Sequence, residues 1–281
     1  MKYVITGSLG NISKPLTEKL IAAGHSVTVI TSNANNASKI EPLGATAAVG
    51  SIEDATFVQQ AFQGADAVYL MIPPKFAVTD WFGHQVAVSD NYVKAIVANE
   101  IKNVVVLSSI GAHMRKGAGP VDGLAYLETI IEKLPNVNGK FLRPSYFITN
   151  LLQQAGMIKH AGIMGSAQPA DHTMVLVHPS DIANAAFEEL SNLPFKGHTV
   201  RYIASDERTW KEITEVLSAV VDKAGTPYVE FSDEQSYTGM LQAGLSEEIA
   251  TGYRNMGVAI RSKQMEADYW NNRPTLGKVK L

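Results

Sequence analysis

The stretch VITGSLGNIS, Val4 to Ser13, decides how the rest of the chain is read. A short apolar run ends in Thr6-Gly7, two residues lead to Gly10, and two more lead to Ser13. The context is a strand, a turn and a helix opening at Asn11. That arrangement gathers unpaired backbone N–H groups at a helix N-terminus and aims them past the carboxyl end of the strand, where a pyrophosphate fits. In turns that hold a dinucleotide, the first glycine permits the tight turn, the second lets the phosphate reach the backbone, and the third packs helix on strand. Gly7 and Gly10 take the first two roles. Ser13 takes the third, where a small side chain asks only for a slight helix displacement. The spacing is G-x-x-G-x-x-S, and its place at the head of a βαβ series favours a nucleotide clamp over a bare turn.

Outward from that turn, strand and helix alternate. KYVIT is followed by a helix over about 11–23, SVTVIT by a helix over 34–43, and the short strand TAAVG by a helix over 54–63. ADAVYLMI, a long helix over about 79–99 and NVVVLSS continue the series. The strands are continuous apolar runs, as expected where helices cover both faces, so the fold class is α/β with a doubly wound parallel sheet. Gly24 and Gly64 stand where helix C-termini need a left-handed residue. Beyond KFLRPSYF the rhythm loosens, which suggests a dinucleotide-binding domain over 1–150 and a smaller C-terminal α/β substrate lobe over 151–281, partly interwoven with it.

Composition narrows the chemistry. Of 281 residues, 46% are hydrophobic and 18% charged, ordinary values for a soluble globular protein. The net charge of −3 and the lack of a Lys/Arg block argue against direct nucleic-acid binding. With no cysteine, the chain makes no disulfide, thiolate nucleophile or cysteine-ligated metal site. No apolar run is long enough to span a bilayer, and the first residues read as a buried strand, so a cytoplasmic protein acting on a small molecule is expected.

The end of the second strand, VITSNANNASK, offers no carboxylate to hold a ribose 2′-hydroxyl and repel a 2′-phosphate. Thr31, Ser32 and Asn33 can donate hydrogen bonds to such a phosphate, and Lys39 or Lys14 can supply charge. NADP (as NADPH) is favoured over NAD on this reading. A solvated loop with a helix cap is the plainer alternative.

VITGSLGNIS, GADAVYLMIPP, NVVVLSSIGA, KFLRPSYFITN and VHPSDIANAA occur in the order seen in the NmrA-like branch of the atypical short-chain dehydrogenase/reductases, which the chain resembles along nearly its whole length. The branch includes quinone oxidoreductases, triphenylmethane reductases and NADP-sensing regulators. The resemblance implies a Rossmann domain that binds NADP, with the pyrophosphate on Gly7, Leu9, Gly10, Asn11 and Ile12 and the 2′-phosphate near Thr31, Ser32 and Asn33. It puts Ser51 and Ile52 by the adenine, although the family usually has an acidic residue where Ser51 stands. Met71, Ile72 and Pro73 would run beside the nicotinamide ribose, and Pro144, Tyr146 and Phe147 would close the nicotinamide side. NRPTLGKVKL resembles the start of the family's closing helix.

The wider superfamily uses a serine with Tyr-x-x-x-Lys, the lysine lowering the tyrosine pKa for proton exchange with a carbonyl. Ser108 and Ser109 follow the fifth strand, and Tyr126 lies on the next helix, but YLETI puts Ile130 in the lysine's place. Lys133 is two helical turns from Tyr126, so the proton relay is broken. A quinone or cationic dye needs no enzymic proton donor during hydride transfer, which fits the branch. Ser108 is expected beside the coenzyme and, with Tyr126 as an orienting hydroxyl, is the catalytic candidate. A structural tyrosine is the alternative for Tyr126. Glu128 resembles an acidic family position but reads more simply as a helix surface charge. His113, at the carboxyl end of the fifth strand, is a weaker candidate for substrate contact. His160, His172 and His178 lack ligand spacing, and no metal is expected. His178-Pro179 marks a helix start. Phe76, Trp81, Phe82, Tyr146, Phe147, Met240, Tyr253 and Met256 serve either as pocket walls or as core. The function expected is an NAD(P)H-dependent reductase of a quinone or similar flat acceptor. The alternatives are a non-catalytic NADP sensor acting through a regulatory protein partner and, less favoured without the Tyr/Lys machinery, a sugar-nucleotide epimerase. A homodimer is also possible on this reading.

Overall fold

The apolar runs of the N-terminal half become the strands of one seven-stranded sheet in the computed structural model, which describes residues 1–281. Along the chain lie β1 (Lys2–Ile5), α1 (Ser13–Ala22), β2 (Ser26–Thr31), α2 (Ala37–Ile40), β3 (Thr46–Val49), α3 (Ala55–Ala61), β4 (Ala67–Leu70), α4 (Trp81–Ala98) and β5 (Asn103–Leu107). There follow α5 (Asp122–Glu132), β6 (Asn138–Pro144), β7 (Tyr146–Phe147), α6 (Leu152–Ala161), β8 (Met164–Ser166), β9 (Thr173–Val177), α7 (Pro179–Asn192), β10 (His198–Ile203) and β11 (Asp206–Thr209). The chain closes with α8 (Trp210–Val220), β12 (Tyr228–Glu230), α9 (Asp233–Gln242), α10 (Glu247–Arg261) and α11 (Ala267–Asn271). No helix is long and apolar enough to cross a membrane.

The large sheet runs β10-β6-β5-β4-β1-β2-β3, and the pairings of β1 with β2 and β4, β2 with β3, β4 with β5, and β5 with β6 are parallel. The strand order reverses between β1 and β4, the switch point outside which ligands bind in doubly wound sheets. This is the expected Rossmann-type α/β sheet. β4 is buried at every residue, which explains its unbroken apolar sequence. The core of this unit joins Val4, Ile30, Val68, Val104 and Phe141 from the strands to Val88, Tyr92, Leu127 and Ile131 from α4 and α5.

The chain divides into two compact units, one of residues 1–109, 123–143 and 182–201, the other of 110–122, 144–181 and 202–281. The second unit carries a three-stranded sheet, β11-β9-β7, and a two-stranded one, β12-β8. Its core gathers Leu151, Ile158, Met174, Leu176, Trp210 and Ile213.

Local chemistry sets most element ends. Gly24 and Gly64 adopt φ of 82° and 71° past α1 and α3, and Asp54 and Asp80 cap α3 and α4 through their carboxylates. The helix expected over 34–43 is instead a four-residue α-helix between two 3₁₀ turns. Asn33 accepts from Asn35 N at the front and Pro42 removes a donor at the back, so neither flank sustains α-helical bonding. The closing stretch 273–281 forms no helix; Gly277 N donates to Ala204 O and Leu281 N to Asp206 Oδ2, which hold it as an extended strap on the second unit.

Candidate functional site

β1 ends in a turn whose conformation only certain residues allow. Gly7 has φ of 90°, and a Cβ there would lie 2.7 Å from Ser13 Oγ and 2.8 Å from Met71 Cγ. Gly10 differs: a Cβ on it would meet a single atom, the Gly7 carbonyl oxygen at 3.2 Å, so the outer side of the turn is open. Ser8 N donates to Ile30 O, Gly10 N to Gly7 O and Lys14 N to Gly10 O. The amides of Asn11, Ile12 and Ser13 donate to no protein group, and Ile12 at the N-cap of α1 receives no side-chain cap. Open space beside Gly10, next to unpaired amides at a helix start, suits a phosphate-like anion. Ser13, where a third glycine is usual, is buried and donates from Oγ to Thr6 O at 2.9 Å. It stitches the first turn of α1 to β1.

The end of β2 is neutral. Ser8 Oγ donates to Thr31 Oγ1 at 2.9 Å, and Asn36 Nδ2 donates to both, at 3.0 and 3.2 Å. Ser32 and Asn33 are exposed beside this ring, while Lys14 is engaged with Glu18. After β3, exposed Ser51 accepts from Glu53 N at 3.1 Å, and Asn91 of α4 donates to the carbonyls of half-buried Ile52 and of Glu53, at 3.1 and 3.0 Å. Lys75 pairs with Glu53 at 2.6 Å, and that hydrogen bond holds the Glu53 carboxyl below its usual range. After β4, Met71 N donates to Thr6 Oγ1 at 2.7 Å and Tyr92 OH donates to Met71 O at 2.8 Å. These bonds fix the path of Met71, buried Ile72 and exposed Pro73.

The two catalytic candidates have separate partners. Ser108, just past β5, donates from Oγ to Glu128 Oε1 at 2.5 Å, and Arg143 of β6 grips the same carboxylate twice, Nε to Oε1 at 3.0 Å and Nη2 to Oε2 at 2.7 Å. Ser108, Glu128 and Arg143 are 3%, 0% and 4% exposed. The surface-charge reading of Glu128 is therefore overturned: a fully buried carboxylate is held by a buried guanidinium in the bidentate geometry that makes such burial tolerable. Tyr126, two residues earlier and so on another face of α5, donates to Asp90 Oδ1 at 3.0 Å with Phe82 edge-on to its ring. Desolvation, and then the Asp90 carboxylate, raise its phenol above the ordinary tyrosine value. Ile130 is half-buried and Lys133 exposed.

In the second unit, Pro144 is buried, and Tyr146 and Phe147 are half-buried on β7. Burial, then Tyr253, push the Tyr146 phenol up to about 12, and its ring meets Trp210 edge-on at 6.4 Å. His113 Nε2 lies 3.1 Å from Gln264 O, and His172 stands 3.5 Å from Glu266. α7 starts at Pro179, as the His178-Pro179 pair implies, with His178 Nδ1 accepting from Ser180 N. Trp81 is buried, Phe76 and Phe82 are half exposed, and Met240, Tyr253 and Met256 are half-buried.

Sequence reasoning missed Arg143, Asp90 and Asn36. Arg143 carried a usable signal: a lone cation inside the apolar strand KFLRP requires a buried anion. Asp90 and Asn36 carried none, because their partners are distant in the chain or shared within a loop.

Comparison with known proteins adds the family. The NADPH-dependent quinone oxidoreductase of Escherichia coli, solved with NADPH, is 19% identical, with a TM-score of 0.75 and 94% of each chain covered. The triphenylmethane reductase of Citrobacter sp., solved with NADP(H), is 18% identical, with a TM-score of 0.76 and 94% of each chain covered. A nucleoside-diphosphate-sugar epimerase of Staphylococcus aureus is 14% identical, with a TM-score of 0.77 over 98% of this chain and 97% of the other. These are likenesses of fold. No functionally curated protein sequence is significantly similar. The profile of the NmrA-like family matches residues 2–262, so the chain belongs to the NmrA-like family.

Proposed function

We propose that this protein binds NADP(H) on the Gly7–Ser13 turn and passes a hydride to a quinone or similarly flat acceptor. Support comes from the three unpaired amides above the open face of Gly10, from the absence of a carboxylate in the Ser8–Thr31–Asn36 ring, and from structural likeness to reductases solved with NADPH or NADP(H). Gly7, Leu9, Gly10, Asn11, Ile12 and Ser13 would hold the pyrophosphate; Thr31, Ser32 and Asn33 the 2′-phosphate; Ser51 and Ile52 the adenine; Met71 to Pro73 the nicotinamide ribose; and Ser108 the nicotinamide end. The coenzyme, when bound, supplies the hydride.

One observation carries the choice of acceptor. Tyr126 has no lysine beside it, and its proton is directed to Asp90, which raises rather than lowers its pKa. A carbonyl substrate needs a proton as hydride arrives, whereas a quinone delocalises the charge and collects its proton from water. The chain's own task is then to exclude disorder: the Thr6, Met71 and Tyr92 bonds fix the strand ends, and positioning supplies the rate enhancement. The same missing relay weighs against an epimerase, despite the fold likeness.

A second reading is favoured by a related fact: the hydroxyl protons of both Ser108 and Tyr126 are committed to carboxylates, which suits a sensor that binds NADP and performs no chemistry. NADPH oxidation with a panel of quinones and triphenylmethane dyes tests the two. Turnover with a flat acceptor supports the reductase; tight but different affinities for NADPH and NADP without turnover support the sensor.

A further inference from the structure

Glu128 and Arg143 are an expensive way to fill a core. Burying two charges costs several kcal/mol per ion before their attraction is counted, and an apolar pair of similar volume is often as stable or more so. This pair joins α5 to β6 and touches one further side chain among the catalytic candidates, the hydroxyl of Ser108 at the carboxyl edge of β5. β5 neighbours β4, next to the switch point where the strand order reverses.

We propose that Glu128 and Arg143 are positioning residues that commit the Ser108 proton inward and leave its oxygen as a hydrogen-bond acceptor only. A serine hydroxyl has one proton and two lone pairs. Here the proton lies on the 2.5 Å line to Glu128 Oε1, and the double grip of Arg143 prevents that carboxylate from turning away. Ser108 therefore offers nothing to a substrate carbonyl, which needs a donor. It does suit a ligand N–H, and the nicotinamide carboxamide carries two. This polarity is opposite to that of a serine that polarises a carbonyl, and it deepens the coenzyme reading above, on which it rests.

The test compares NADP with its 3-acetylpyridine analogue, in which a methyl group replaces the carboxamide NH₂, by titration calorimetry on the full chain. The intact protein should bind NADP about tenfold more tightly than the analogue, the worth of one buried hydrogen bond left unmade. Ser108→Ala should reduce that preference to about threefold or less, and so should the double variant Glu128→Leu/Arg143→Met, which removes the carboxylate that takes the Ser108 proton. Thermal unfolding of the double variant, expected near that of the intact protein, shows that the fold has survived. Equal affinities in the intact protein, or a preference that survives Ser108→Ala, would overturn the assignment while leaving the coenzyme reading standing. No binding of NADP itself would overturn both.

Discussion

Gly10→Val separates a nucleotide clamp from an ordinary turn. Gly10 does not need a positive φ, and the added Cβ meets only the Gly7 carbonyl oxygen at 3.2 Å, a contact relieved by a shift of a few tenths of an ångström. The fold should survive, with a melting temperature lowered by about 3 °C or less, since a mild surface strain is worth about 1 kcal/mol. The valine would instead fill the open space beside Gly10, next to the unpaired Asn11, Ile12 and Ser13 amides. A hydrogen bond to a charged group is worth about 1.5–3 kcal/mol, so pushing a pyrophosphate off two of the three amides costs about 3–6 kcal/mol. That is a loss of about 10²- to 10⁴-fold in affinity. Calorimetry with NADPH and NADP reads it directly, and circular dichroism checks the fold. Affinity within about threefold of the intact protein would refute the idea that these amides hold the phosphates. Gly7→Ala is the informative contrast. Its φ of 90° and its contacts at 2.7 and 2.8 Å predict loss of stability as well as of binding.

Three further outcomes are expected. Glu128→Ala removes the carboxylate that the buried Arg143 guanidinium grips twice and should cost about 3–5 kcal/mol, lowering the melting temperature by about 10 °C; a shift under about 2 °C would contradict the buried pair. Ser32→Asp places a carboxylate beside the neutral Ser8–Thr31–Asn36 ring, where it would repel a 2′-phosphate and accept from a ribose hydroxyl. The ratio of NADPH to NADH affinity should fall by about tenfold or more, and an unchanged ratio would move the 2′-phosphate elsewhere. Because the Tyr126 phenol is raised, it keeps its proton below about pH 10, so quinone turnover should show no Tyr126-dependent step between about pH 6 and about pH 9; a step there that Tyr126→Phe abolishes would restore it as an acid.

The residues that were legible in the sequence are those whose reason is local. β2 lies where its apolar run does, Gly24 and Gly64 end their helices with left-handed φ, and the strand–turn–helix order around Gly7 is a property of adjacent residues. The break in the helix after β2 is not legible, because Asn33 and Pro42 act on backbone donors that periodicity ignores. The burial of Glu128 is hidden for a different reason. On a helix that also carries Asp122, Thr129 and Glu132 a glutamate looks solvated, and only a strand residue fifteen positions on, Arg143, shows that it is not. Such pairs are set by which helix face packs on which strand, a fact absent from either segment alone. The neutral ring at β2 was half legible: the lack of acid was visible, but the role of Asn36 required the loop's conformation.

The two compact units are each assembled from three separate lengths of chain, and this governs how the protein can be made. The edge strand β10 cannot dock beside β6 until β7, α6, β8, β9 and α7 have all left the ribosome. During synthesis β6 therefore waits with one flank bare, a template for wrong pairing, and a fragment cut after β6 would keep that flank permanently. Halves expressed as contiguous pieces should aggregate.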